Sequence, residues 1–217
     1  MKYYLDITLL PDAEASLGFL WFKIYQQIHL LLVENKVSAK DSVIAVSFPH
    51  YGDKAYPLGN KMRLLATSES QLTGLAVERW LSRFADYVHI KGIKAVPENV
   101  TQFACFKRWQ YKSPNKLRLE VDKRAQYLAK KNNLPVMQVK ERLLASIDSL
   151  DNASKLPFIN LTSLSTDKTK PINDRRNFKL FIERELLSDG TPSNGMYTCY
   201  GLSRRDGSLH ALVPWFD

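Results

Sequence analysis

Four histidines, at 29, 50, 89 and 210, are the side chains suited to proton transfer near neutral pH. His29 falls on an amphipathic segment about 100° from the centre of its apolar stripe, beside Phe22 and Tyr25. It is neither core nor fully exposed there, and a ligand could reach it. His50 follows Phe48-Pro49 at a strand end, His89 sits inside a strand and His210 opens the last one. All three read as packing or surface residues. Two further clusters carry hydroxyls. Ser163 and Ser165 lie in the run TSLST that leaves a short strand, and Tyr200 stands before Gly201 in MYTCYGLS. By default each reads as a turn at the end of a strand. The residue types alone do not single out a catalytic group.

The other conspicuous chemistry is cationic. Residues 107–131 hold nine Lys or Arg (107, 108, 112, 116, 118, 123, 124, 130 and 131) against Glu120 and Asp122, a net +7 of the chain's +9. Ser113-Pro114 reads as an N-cap followed by proline at the first helical position, so a helix is expected over about 114–131. At ~100° per residue Leu117, Val121, Ala125 and Leu128 share one stripe, while Lys116, Lys123 and Lys130 lie nearly opposite. Arg124 and Lys131 flank the apolar edge. Such a helix docks by one side and offers a row of cations on the other. Arg108, Trp109, Gln110 and Tyr111 precede it, adding hydrogen-bonding forks and flat rings, a mixture suited to nucleic acid.

The totals agree. Of 217 residues, 45% are apolar and 24% charged, the composition of a globular chain with a core. Residues 1–99 carry 11 basic and 10 acidic side chains, residues 100–217 carry 20 and 12, so the excess belongs to the second part. A polyanion rewards that asymmetry through counterion release. No run of about 18 apolar residues and no leader-like start is present, so no membrane role and a cytoplasmic location are expected. The two cysteines, Cys105 and Cys199, show no ligand spacing, which argues against zinc. There is no phosphate-cradling GxxxxGK[ST], no GxSxG elbow and no paired acidic motif for two metals.

Positioning these residues requires an α+β chain. Residues 3–10 alternate as a strand, and 16–33 form an amphipathic helix through Leu17, Leu20, Trp21, Ile24, Ile28, Leu31 and Leu32. Residues 42–50 and 56–67 read as strands, 68–84 as a helix with Leu72, Leu75, Ala76 and Trp80 inward, and 86–96 as a strand. That order, βαββαβ, is the ferredoxin-like arrangement, with a boundary at Pro97. Two domains follow, 1–97 and 98–217. In the second, a strand at 101–111 leads into the basic helix, a further helix spans 136–150, and strands are expected at 158–161, 177–183, 196–200 and 210–215. The polar stretch 166–176 reads as a basic loop.

Several of these pieces, in this order, resemble the CRISPR repeat-processing endoribonuclease of type I-F systems. They are YYLDITLLPD at 3–12, the helix with His29, VSFP at 46–49, FKRWQYKS at 106–113, LPF with L-x-S-x-S-T at 156–166, NFKLFI at 177–182, YTCYGLS at 197–203 and VPWF at 213–216. The resemblance runs from end to end. It implies a ferredoxin-like N-terminal domain and an RNA-binding C-terminal domain. It also implies binding to the CRISPR RNA repeat stem-loop and cleavage at the 3′ base of the stem with no metal or cofactor. It further implies that the protein keeps its product and stays with it as a subunit of the type I-F effector complex, beside the backbone protein. A crRNA-capping subunit with little nuclease activity is the alternative. Residue by residue, the resemblance makes His29 the catalytic histidine, Ser163 the serine that holds the ribose and Tyr200 the tyrosine that orients the histidine. Arg108 and Gln110 fall on the pair that reads base edges, and Phe178 on the ring that stacks on the last base pair. Lys112, Lys116, Arg118, Lys123 and Arg124 are then assigned to the RNA. The family's helix is richer in arginine than this one, which has Leu119, Glu120, Val121 and Asp122 in its middle. The groups Lys168, Lys170, Arg175 and Arg176 of the long loop are therefore candidates to share the load.

Overall fold

The computed structural model describes residues 1–109, 114–148, 156–163, 171, 174–188, 195–204 and 211–217. By its internal contacts the chain forms two compact units, residues 1–109 with 157–217, and residues 110–156.

In the first unit β1 (Tyr3–Leu9) buries Leu5, Ile7 and Leu9, the period-two pattern of a strand with one covered face. The amide of Phe19 donates to the side chain of Ser16, which caps α1 (Leu17–Glu34). This helix buries Leu20, Trp21, Ile24, Tyr25, Ile28, Leu31 and Leu32 along one side. Then come β2 (Asp41–Ser42), β3 (Ala45–Ser47), β4 (Lys61–Ala66), α2 (Glu69–Thr73), α3 (Val77–Leu81), a 3-10 segment (Ser82–Tyr87), β5 (Val88–Ile90) and β6 (Lys94–Ala95). Their antiparallel sheet has the order β3-β4-β1-β5, with β6 also on β1.

Where the elements differ from the sequence reading, local chemistry accounts for it. The helix expected at 68–84 is broken, because Gly74 ends α2 and Ala76 takes a left-handed φ of 47°. Leu72 and Leu75 are buried as expected, but Ala76 is exposed and Trp80 only half-buried. The strand expected at 86–96 divides around Lys91-Gly92-Ile93. The 42–50 strand also divides: the Ser42 hydroxyl accepts from the Ile44 amide at 3.1 Å, and the chain turns there from one sheet to another.

The same unit holds β7 (Phe103–Trp109), and later β8 (Phe158–Thr162), β9 (Asn177–Leu187), β10 (Tyr197–Thr198) and β11 (Val213–Pro214). These form a second antiparallel sheet, β11-β7-β9-β8, while β10 pairs with β2. The strand expected at 177–183 runs on to Leu187, whereas those expected at 196–200 and 210–215 shrink to two residues each. Most of the 166–176 loop lies outside the described residues.

The second unit contains α4 (Pro114–Asn132) and α5 (Val136–Asp148). Asn133, with φ 52°, stops α4 in the left-handed conformation that asparagine tolerates. Ala125, Ala129 and Val139 are buried between the two helices, with Leu128 and Leu143 packed beside them. Val121 is also buried, while Arg118, Lys123, Arg124, Lys130 and Lys131 are exposed. The chain is thus α+β, and among the described residues no helix is long and apolar enough to cross a membrane.

Candidate active site

Tyr25 and His29 are four residues apart, so α1 sets them one above the other on one side. Opposite them lies a turn. The Gly201 amide donates to the Thr198 carbonyl at 2.7 Å, and the Thr198 amide to the Leu202 carbonyl at 2.8 Å. The carbonyls of the two residues inside the turn, Cys199 and Tyr200, are left pointing outward. Both are taken by α1: the Tyr25 hydroxyl donates to Tyr200 O at 2.8 Å, and His29 Nδ1 lies 2.9 Å from Cys199 O. The turn needs its glycine. Gly201 has φ 70°, and a Cβ there would fall 2.3 Å from Val46 Cγ2.

The second contact of His29 is a ring. Its imidazole stacks on Tyr200 with centroids 4.2 Å apart and planes inclined by 3°. A carbonyl can only accept, so Nδ1 carries the hydrogen and the neutral ring keeps its lone pair on Nε2. Burial lowers the pKa of His29 below its ordinary 6.5; the bond to Cys199 O opposes this, and the Arg108 charge adds to it. Burial also raises the pKa of Tyr200, against the nearby Arg108 cation, so its phenol stays protonated.

The second sheet supplies Arg108. On β7 it stands opposite Ile182 of β9, and Phe178 of β9 stands opposite Leu161 of β8. The Arg108 guanidinium lies 5.3 Å from the Tyr200 ring centre and 5.4 Å from that of Phe178. Ser163 follows the end of β8, and its amide donates to Arg176 O at 2.9 Å. The preceding amide, of Thr162, donates to Gln26 Oε1 at 2.9 Å, one helical turn before His29.

His29, Tyr200, Arg108 and Phe178 therefore form one chain of ring and cation contacts, while the end of β8, just before Ser163, is tied to the helix of His29 through the Thr162 amide and Gln26. Arg118, Lys123 and Arg124 are exposed on α4 in the other unit. Gln110 and Lys112 lie outside the described residues, and Lys116 is described only by its place in α4. The sequence reading missed Gln26 and the hydrogen-bonding part of Tyr25. Their spacing from His29, three and four residues, was the available signal. Of the remaining histidines, His50 bonds Asn60 and Asp217, His89 is exposed, and His210 is outside the described residues. Among the described residues no group of three or more His, Cys, Asp or Glu gathers to hold a metal ion.

A helix-borne imidazole fixed by a turn, in an α+β chain with a basic helix, is the setting in which the family relationship is found. The chain belongs to the CRISPR-associated protein family Cas_Csy4, whose sequence model matches residues 4–216. Among its relatives is the CRISPR-associated endonuclease Cas6/Csy4 of Pseudomonas aeruginosa (strain UCBPP-PA14), 31% identical over 217 residues and covering the whole of both chains. The protein of the same name from Escherichia coli (strain UTI89 / UPEC) is 29% identical over 217 residues, again across the whole of both.

Proposed function

We propose that this chain is a metal-independent endoribonuclease that binds the CRISPR RNA repeat stem-loop and cuts at the 3′ base of its stem. The observation that carries the reading is the state of His29: Nδ1 is engaged by Cys199 O, the ring is stacked on Tyr200, and Nε2 retains the lone pair. In the proposed reaction Nε2 takes the proton of a ribose 2′-OH. The 2′-oxygen attacks the adjacent phosphorus, the bond from phosphorus to the 5′-oxygen breaks, and the 5′-oxygen takes a proton from water, leaving a 2′,3′-cyclic phosphate and a 5′-OH while the imidazolium returns its proton to solvent. Ser163 holds the ribose in line, Tyr200 keeps the imidazole in plane, and in-line positioning alone lowers such a barrier by several kcal/mol. Arg108 and Gln110 read base edges at the foot of the stem, and Phe178 stacks on its last pair. Lys112, Lys116, Arg118, Lys123 and Arg124 neutralise phosphates.

The same reading makes the first sheet with its helices a ferredoxin-like domain, supported by the order β3-β4-β1-β5. It sets a functional division at 97–98, between the part carrying the imidazole and the part carrying the RNA contacts. It places the protein in the cytoplasm, as a subunit that keeps its crRNA hairpin within the type I-F complex, against the backbone protein. The test is cleavage of the cognate repeat hairpin in EDTA. Product should form in EDTA, and His29→Ala should abolish it while the hairpin still binds. Normal cutting by His29→Ala overturns the assignment, and a bound hairpin that the native chain never cuts makes it a capping subunit.

A further inference from the structure

We infer that the outward side of α1, running from His29 toward the helix start, is a track for unpaired RNA, on which Phe22, Phe19 and Lys23 hold the nucleotides beyond the cut. This rests on the function proposed above. Phe22 precedes His29 by seven residues, two helical turns, and so lies within ~20° of the same meridian and roughly 10 Å along the axis. Phe19 is one turn further. The apolar contacts of α1 lie on its other side, at Leu20, Trp21, Ile24 and Ile28. Phe19 is nonetheless 49% exposed. Between the two rings sits a cation: Lys23 Nζ is 4.6 Å from the Phe22 ring centre and 5.6 Å from that of Phe19.

A lone exposed phenylalanine needs no explanation. Two of them sharing one ammonium, the nearer on the meridian of the imidazole and the farther ~80° round from it, are a stacking surface with a phosphate partner built in. Bases stack on aromatic faces whatever their sequence, and a nearby lysine neutralises the strand between them. The occupant follows from what the rest of the site takes. Arg108 and Phe178, from β7 and β9, are assigned to the foot of the stem. A paired stem is stiff and cannot bend along a helix surface, whereas the unpaired strand leaving the cut can.

The test uses the intact chain and two RNAs at matched ionic strength. One is the repeat hairpin ending at the cut. The other is the same hairpin carrying a few unpaired 3′ nucleotides, with a 2′-deoxyribose at the cutting position to prevent reaction. The native chain should bind the extended RNA about tenfold more tightly. Phe22→Ala and Phe19→Ala should remove that increment, and Lys23→Gln should reduce it and its dependence on salt. All variants should bind the shorter hairpin like the native chain. Phe22 is half-buried, so should Phe22→Ala fail to fold, the more exposed Phe19→Ala read with Lys23→Gln decides the matter. An increment that is absent from the native chain, that survives these substitutions, or that survives replacing the flank by abasic nucleotides overturns the inference. Failure of the function itself appears differently: the shorter hairpin does not bind, or the 2′-deoxy RNA is cut.

Discussion

At the scale of one residue, the chain places the proton on His29 before any RNA arrives. Cys199 O holds Nδ1–H, so the neutral ring can only accept at Nε2. Burial, aided by the Arg108 cation, favours that neutral form and lowers the pKa of the folded chain below 6.5. An unfolded chain takes up the proton more readily, so the contribution of His29 to stability is complete above pH 6.5 and is lost as the pH falls through the lowered value. In the proposed reaction, catalysis by the neutral ring would have the same limb. The acid limb of kcat/KM, which reports the free protein, is therefore expected below 6.5. Arg108→Gln removes a cation that disfavours imidazolium, so the limb should move upward, toward the ordinary value, as well as weakening RNA binding. A pH–rate profile of the variant measures this, and an unmoved or lowered limb contradicts it.

At the scale of elements, the site is a helix against a turn. Thr198–Gly201 presents two carbonyls, and α1 answers with hydroxyl and imidazole spaced four apart. Gly201→Ala would force a side chain onto Val46 and a left-handed φ onto alanine, a cost of at least about 1–3 kcal/mol in the strained backbone alone. We expect a lower melting temperature and, in the fraction still folded, a slower cleavage step, because Tyr200 and Cys199 O move with the turn. A variant of native stability and native rate would contradict this. Gln26→Leu is expected to separate the two effects. It leaves the Thr162 amide without its acceptor but also removes Nε2, which is buried without an acceptor among the described residues. Stability should therefore change little, while the single-turnover rate falls because the end of β8, and Ser163 with it, is no longer tied to α1. Thermal melts and single-turnover kinetics on the same sample check both halves.

At the scale of the whole chain, what was legible in the sequence was what periodicity and charge can encode. The buried stripe of α1 and the opposed faces of α4 both appear at helical spacing. The break at Gly74–Ala76 and the division at Ser42 were not legible, because a left-handed residue and a hydroxyl bonded to a nearby amide interrupt the chain where hydrophobic spacing runs straight on. The carbonyl partners of His29 and Tyr25 were invisible for another reason: main-chain oxygens carry no residue type. The same holds for the way the tail is fastened. Arg63 on β4 donates to both carboxylate oxygens of Asp6 on β1, at 2.6 and 2.9 Å, and to the carbonyl of Phe216 at 2.7 Å. Its guanidinium lies 3.9 Å from the Phe216 ring centre and 4.5 Å from that of Tyr4. Just before Phe216, β11 pairs with β7, the strand that carries Arg108. One cation thus pins the chain's end, and with it an edge of the second sheet, to the first sheet. With side chains 2% and 5% exposed, neither partner can be rescued by water. Arg63→Met should cost about 3–5 kcal/mol, because it strands a buried carboxylate. The double variant Arg63→Met with Asp6→Leu should regain much of that loss, since desolvation offsets most of the attraction within such a pair. Denaturant midpoints of the native chain, the single variant and the double variant decide this. A single variant as stable as the native chain would mean that the tail is held by the packing of its rings and not by the ion pair.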